Sequence, residues 1–284
     1  MILIADSGST KTAWRIIDKD GRISQAKSPG INPYYMKQED ITATVREGLV
    51  EYVDEDIAYI YFYGSGCSSD KNKALIQSAL SVLYPQAQIE IDHDLLAAAR
   101  ALCGVESGIA CILGTGSNSC LYDGTDIVDN VTSLGYLLGD EGSGNHLGRV
   151  LIKRYFKGEL PEELKQKFDE YFGLTKSDVL ENLYQGNMPI RFLANFSKFI
   201  FQYLQHPYFY QLVYDCFREF FVENVCRYAG HRDLPIHFVG SVAFYYSNVL
   251  RRVGADLGLQ IGIIAEDPVA GLVLYHKEKM KAEG

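Results

Sequence analysis

Asp6 and Lys11 bracket a run of small residues, Ser7-Gly8-Ser9-Thr10, and Thr12 follows directly. Together these residue types can do specific chemistry. Backbone N–H groups in a turn of Gly, Ser and Thr can approach an anion closely, and a lysine neutralises its charge. A carboxylate beside such a turn can face a metal ion carried by that anion. Asp6 is therefore the candidate metal residue, and Gly8, Ser9, Thr10, Lys11 and Thr12 are candidates for holding a phosphate chain. Apolar runs flank the segment, Ile2–Ala5 before it and Trp14–Ile17 after it, and read as two strands joined by a tight hairpin.

The pattern returns in Ala110–Leu113, Gly114-Thr115-Gly116-Ser117 and the residues on to Tyr122. Ile4 aligns with Ile112, Ser7 with Thr115, Gly8 with Gly116 and Ser9 with Ser117, at an offset of 108 residues. Two such loops in register suggest a duplicated fold with phosphate-gripping turns facing each other across a cleft. Two ordinary hairpins of one sheet would read the same way.

Other segments carry candidate chemistry. Asp94 follows a short strand, Ile89–Ile91, and opens an Ala/Leu helix. A carboxylate there is favoured by the helix dipole and can accept the proton of an attacking hydroxyl. A plain first-turn acid would occupy the same place, and Asp92 and His93 are capping candidates too. Residues 135–144 hold four glycines around Asp140 and Glu141, which offer acceptors to hydroxyls or to metal-bound water. Gly240-Ser241 before a helix, and Gly271 inside the last one, could bring backbone close to an adenine ring. Lys11 is not in a Walker A loop, because Thr10 and not Gly precedes it. Nor is the loop a Rossmann fingerprint, since it leads into a strand.

The chain has 284 residues, which suits two domains. Its formal net charge of −9 argues against nucleic acid as a partner, although not against a nucleotide gripped by amides and a metal. No apolar run approaches the length of a membrane span and no leader pattern opens the chain, so a cytoplasmic protein without membrane attachment is expected. Six cysteines, Cys67, Cys103, Cys111, Cys120, Cys216 and Cys226, form no C-x-x-C pair and read as reduced thiols.

Periodicity gives β-β-β-α-β-α-β-α through residue 103, with helices over 39–52 and 70–83 and a strand over 57–63. Strand alternation disappears over 145–230, where an aromatic-rich helical stretch is expected. Strands return at 236–240 and 260–264, and Asp267-Pro268 caps a last helix. The expected organisation is α/β. An N-terminal domain covers 1–103 and a C-terminal domain 104–284, with a helical insertion at about 145–230 and the last helix packing back on the first domain.

Together these segments resemble the actin/hexokinase/Hsp70 ATPase superfamily. Asp6–Thr12 matches its first phosphate hairpin, Gly114–Ser117 its second, and Phe238-Val-Gly-Ser241 its adenosine motif, which more often has two adjacent glycines. Ile112–Ser119 followed closely by Leu134–Gly144 is similar to the BadF/BadG/BcrA/BcrD-type ATPases, and in particular to their N-acetylglucosamine kinase branch. The resemblance implies two ribonuclease H-like domains around a nucleotide cleft, with ATP and Mg2+ as cofactors. It implies Asp94 as general base and a sugar pocket containing Asn32, Gly135 and Asp140. The implied activity is phosphorylation of an amino sugar, foremost N-acetylglucosamine at its 6-hydroxyl. Two departures bear on the sugar: Ser133-Leu-Gly135 stands where Gly-Trp-Gly is frequent, and Gly64-Ser-Gly66 where Ser-Gly-Gly is. An activator ATPase serving a partner enzyme through an iron–sulfur cluster, and a non-catalytic sensor, are the alternatives; a homodimer is one open form.

Overall fold

The computed structural model describes residues 1–8, 11–53 and 57–283. It divides into two compact units. Unit 1 is Met1–Glu106, Gly124–Asp126 and Asp267–Gly284; unit 2 is Ser107–Asp123 and Ile127–Glu266.

Unit 1 contains β1 (Ile2–Ser7), β2 (Lys11–Ile17), β3 (Ile23–Pro29), α1 (Gln38–Leu49), β4 (Tyr59–Gly64), α2 (Asp70–Leu83), β5 (Gln88–His93) and α3 (Asp94–Cys103). Its strands form one sheet in the order β3-β2-β1-β4-β5, with β1, β4 and β5 parallel. The central strands are buried on both faces. Leu3, Ala5, Ile60 and Phe62 point to a core with Ile41 and Val45 of α1 and Ile76 and Leu80 of α2. The alternate residues Ile4, Tyr61 and Tyr63 point to the other face, against Ala97 of α3.

Unit 2 contains β6 (Gly108–Leu113), β7 (Ser117–Tyr122), β8 (Ile127–Asp129), α4 (Gly135–Leu138) and α5 (Gly144–Phe156). Helices α6 (Glu162–Phe172), α7 (Lys176–Tyr184), α8 (Pro189–Gln202) and α9 (Pro207–Glu223) follow. Then come β9 (Ile236–Val239), α10 (Ser241–Tyr245), α11 (Ser247–Asp256) and β10 (Ile261–Ala265). The aromatic stretch is core, as Phe168, Phe196, Phe199, Phe209, Phe217 and Phe220 pack with β6 residues Ile109, Cys111 and Leu113. The strand order is β10-β9-β6-β7-β8. Reading β6 to β10 as β1 to β5 reproduces the order of unit 1. The duplication is therefore real, and the two hairpins lie in two sheets and not in one.

The two turns differ in length, since the last hairpin pairs are Ser7–Thr12 and Leu113–Ser117. No single offset therefore aligns both strands of one hairpin with both strands of the other.

The last helix, α12 (Val269–Glu283), is part of unit 1. Leu272 and Val273 join the face formed by Ile4, Tyr61 and Ala97. Buried His276 stacks on Tyr61 at 3.6 Å and shares a 2.9 Å hydrogen bond with the Tyr63 hydroxyl. Arg100 of α3 donates to the same hydroxyl at 2.7 Å and to Glu90 at 2.6 Å. A Cβ on Gly271 would fall 2.2 Å from the Ala101 carbonyl oxygen. The space at Gly271 is taken by α3, and this corrects the reading of that glycine as a place for adenine. The crossing fixes α3, and with it Asp94. No helix of the described residues is long and apolar enough to cross a membrane.

Candidate active site

In unit 1 the parallel register puts Ser7, Gly64 and His93 level at the carboxyl ends of their strands. Asp6 lies one residue before that level and Asp94 one residue after it. Carboxyl ends of parallel strands are where ligands bind in such sheets. His93 is the N-cap of α3, its Nδ1 accepting from the Leu96 N–H at 3.3 Å, and Asp94 is the first helical residue. Burial pushes the Asp94 carboxyl above its usual range, against the opposing effect of His93 and two backbone N–H groups. Burial, then the charges of Asp94 and Asp267, push Asp6 up to about 7, with Lys11 acting the other way. The result is a carboxylate short of positive charge. Neighbouring Asp92 is separately committed to Lys73 at 2.5 Å.

The hairpin tip closes with Gly8 N–H donating to the Lys11 carbonyl at 3.1 Å. Ser9 and Thr10 lie outside the described residues. Thr12 does not offer its hydroxyl outward. It is fully buried, at 2.8 Å from Ser7 Oγ, and donates to the Pro29 carbonyl at 3.1 Å. The Ser7 hydroxyl in turn accepts from the Ile31 N–H at 2.9 Å and lies 3.0 Å from the Ile31 carbonyl. These hydroxyls moor the loop carrying Asn32 to the hairpin. Asn32 Oδ1 accepts from the Tyr34 N–H at 3.0 Å, so the amide nitrogen is the end left for another partner. Gly66 is needed beside it, since a Cβ there would fall 3.0 Å from Asn32 Oδ1.

In unit 2 the turn Gly114–Gly116 is held differently. The N–H groups of Gly144 and Asn145, in the first turn of α5, donate to the Gly114 and Thr115 carbonyls at 2.8 and 3.1 Å. Asp140 is 7% exposed and sits at φ +58°, a conformation that non-glycine residues rarely adopt. Its Oδ1 accepts from the Ser117 N–H at 3.1 Å and its Oδ2 from Asn145 Nδ2 at 2.7 Å. Ser117 N–H is therefore committed to a carboxylate, and Ser117 itself is buried. His146, held neutral by burial with its pKa lowered to about 4, accepts from the Gly142 N–H at 3.0 Å and steadies the same loop. Gly135 is at φ +69° beside exposed Leu134. Gly240, at φ +120°, donates to the Ala265 carbonyl at 3.0 Å, and a Cβ there would fall 2.3 Å from the Leu113 carbonyl. Ser241 opens α10 and is exposed.

Sequence reasoning treated Asp267 only as a cap. It does accept from the Val269 N–H at 3.2 Å, but its charge also reaches Asp6. The duplication carried the signal: Val239 is level with Ala265, so Asp267 follows β10 as Asp94 follows β5. Ser7 and Asn145 were also passed over. Among the described residues no group of three or more His, Cys, Asp or Glu side chains is assembled to hold a metal. One carboxylate at a strand end suits Mg2+, which commonly takes one or two carboxylates and otherwise keeps water and substrate phosphate oxygens.

No family model matches the chain. The N-acetyl-D-glucosamine kinase of Dictyostelium discoideum is 26% identical over 196 residues, 62% of this chain and 61% of that protein. The chain therefore matches somewhat under two thirds of the length of that curated relative. Two crystal structures, each of a "putative N-acetylglucosamine kinase", superimpose closely. That from Porphyromonas gingivalis is 46% identical, with a TM-score of 0.92 over 99% of this chain and 100% of its own. That from Chromobacterium violaceum is 16% identical, with a TM-score of 0.77 over 96% and 98%, a likeness of fold.

Proposed function

The chain belongs to the N-acetylglucosamine kinase-like family of actin-fold proteins, and on that premise we propose that it transfers the γ-phosphoryl group of ATP to N-acetylglucosamine, at the 6-hydroxyl. The 46% identity over nearly the whole chain is the observation that carries this reading. We place the chain, within that fold, among the BadF/BadG/BcrA/BcrD-type ATPases on its motif order.

Asp94 is the general base. A carboxyl raised by burial binds a proton more tightly than a solvated one, which suits a group that must take the sugar hydroxyl proton. Lys11 with Gly8, Ser9 and Thr10 of the first turn, and Gly114, Thr115 and Gly116 of the second, are the residues proposed to bind the phosphates. Gly240 and Ser241 stand at the adenosine. Asn32, Gly135 and Asp140 receive the sugar, with hydroxyls accepted by the lone pairs of Asp140 that Ser117 and Asn145 leave over. Mg2+ bound through Asp6 would supply charge neutralisation on the phosphate oxygens. Phosphoryl transfer asks the protein mainly for positioning and charge, and these residue types supply both. Cys67, Cys103, Cys111, Cys120 and Cys216 are buried, which disfavours an activator ATPase that would have to present thiolates to a cluster shared with another subunit. The proposal includes a cytoplasmic location and a homodimer.

The test is ATP consumption across amino sugars, neutral hexoses and a no-sugar control, with product analysis by NMR. N-acetylglucosamine should give the strongest stimulation, with phosphorus on O6. Robust ATP hydrolysis that no sugar stimulates would overturn the proposal.

A further inference from the structure

Asn145 has no assigned part in the chemistry, yet its surroundings are unusual. It is fully buried at the start of α5. Its amide nitrogen donates twice, to the Thr115 carbonyl at 2.8 Å and to Asp140 Oδ2 at 2.7 Å. Both neighbours accept only, so the amide orientation is unambiguous. Its Oδ1 is buried and has no hydrogen-bond partner among the described residues. A buried carbonyl left unpaired is unfavourable. The side chain is thus kept for its two donors.

Those donors join two parts of unit 2 that the sequence separates. One is the turn at Gly114–Gly116. The other is Asp140, whose second oxygen also grips that turn, through the Ser117 N–H. The carboxylate lies directly against the turn, since a Cβ on Gly116 would fall 3.0 Å from both its oxygens. With Asp140 held at φ +58°, the backbone alone does not favour this placement. We propose that Asn145 is a positioning residue that locks the Asp140 carboxylate to the phosphate-binding turn, so that one side chain sets the geometry of both the sugar-binding and the nucleotide-binding parts of unit 2.

This rests on the kinase reading for its functional consequence, but not for its structural one. The first measurement therefore needs no activity. In hydrogen exchange of the ligand-free protein, Asn145→Ala should speed exchange of the Ser117 amide by about tenfold, the scale of one hydrogen bond to a charged group. Exchange in β1 and β2 should be unaltered. Asn145→Asp keeps the volume, removes both donors and adds a charge facing Asp140, so it should do at least as much. The second measurement is kinetic. Asn145→Ala should raise KM for ATP and for N-acetylglucosamine together, each by about tenfold, with a smaller change in kcat. In an Asp140→Asn background, adding Asn145→Ala should cost little more, because the two act as one unit. Ser117 exchange unchanged in both Asn145 variants would overturn the lock. So would Asn145 and Asp140 effects that simply multiply. Should the wild type show no sugar-stimulated turnover, the kinase reading fails, while the exchange data still decide the lock.

Discussion

The two hairpins occupy corresponding places in two sheets of the same strand order, yet among the described residues they are anchored by different means. In unit 1 the described anchor is at the base of the turn. Ser7 and Thr12, the last paired residues, knit the strands to each other and to the loop at Ile31. In unit 2 the anchor is at the tip, where the first turn of α5 takes the Gly114 and Thr115 carbonyls and Asp140 takes the Ser117 N–H. The carboxylates differ accordingly. Asp140 is satisfied by N–H donors, whereas Asp6 is crowded by Asp94 and Asp267 with only Lys11 opposing them. One duplicated fold thus carries a carboxylate paired by N–H donors in unit 2 and a carboxylate crowded by like charge in unit 1. On the proposed function, the general base belongs to unit 1 with the crowded carboxylate.

The largest expected effect tests that assignment of the base. Asp94→Asn keeps the shape at the start of α3 and removes the base. Turnover should fall by roughly 100-fold or more, the range of a general base, with KM for ATP nearly unchanged. Near wild-type turnover would remove Asp94 from the chemistry. An equal loss in nucleotide affinity would show that Asp94 does not act as a base alone.

Next is the uncompensated charge at Asp6. Its carboxyl is raised from 3.8 to about 7 in the folded protein. Between those values the unfolded chain has released a proton that the folded chain retains. Stability therefore falls as pH rises through this window and levels off above it, by about 4 kcal/mol at most. Asp6→Asn removes the dependence. Ligand-free Asp6→Asn should melt several degrees above the wild type at pH 8 and at the same temperature at pH 4. A variant less stable than the wild type at pH 8 would mean that Asp6 is already compensated, and the contrast with Asp140 would collapse.

Most of the framework was legible because local rules carry it. The spacing of Ile41, Val45 and Leu49 marks α1, and Asp70–Leu83 emerged with its observed bounds. Three-residue β8 and four-residue α4 were passed over, being too short for periodicity to register. The chemistry-bearing types were legible at Asp6, Lys11, Asp94 and Asp140 because Gly-rich turns and strand ends announce them. What holds those residues was not. Ser7 reaches Ile31 across 24 residues and Ser117 reaches Asp140 across 23, and neither contact leaves a periodic trace. Thr12 shows the limit from the other side. Its type fits a phosphate loop, but its place in the β2 register turns it inward.

The smallest effect compares the two tips directly. Among the described residues, a Cβ added to Gly8 would meet the Lys11 carbonyl oxygen alone, at an ordinary 3.8 Å. One added to Gly116 would lie 3.0 Å from both Asp140 oxygens, tighter than real contacts usually are. Asp140 cannot retreat easily, since Asn145 and the Ser117 N–H hold its two oxygens. Gly116→Ala must therefore stretch one of these bonds, at a cost of about 1 kcal/mol, the net worth of a typical hydrogen bond. Gly8→Ala has no comparable cost. Thermal melts of the ligand-free variants should place Gly116→Ala a few degrees below the wild type and Gly8→Ala within about a degree of it. Combining Gly116→Ala with Asp140→Ala, which vacates the space, should return the glycine substitution to near neutrality. Equal melting of Gly8→Ala and Gly116→Ala would mean that the tip of the second hairpin is no more tightly held than that of the first, and that tip anchoring does not distinguish the two units.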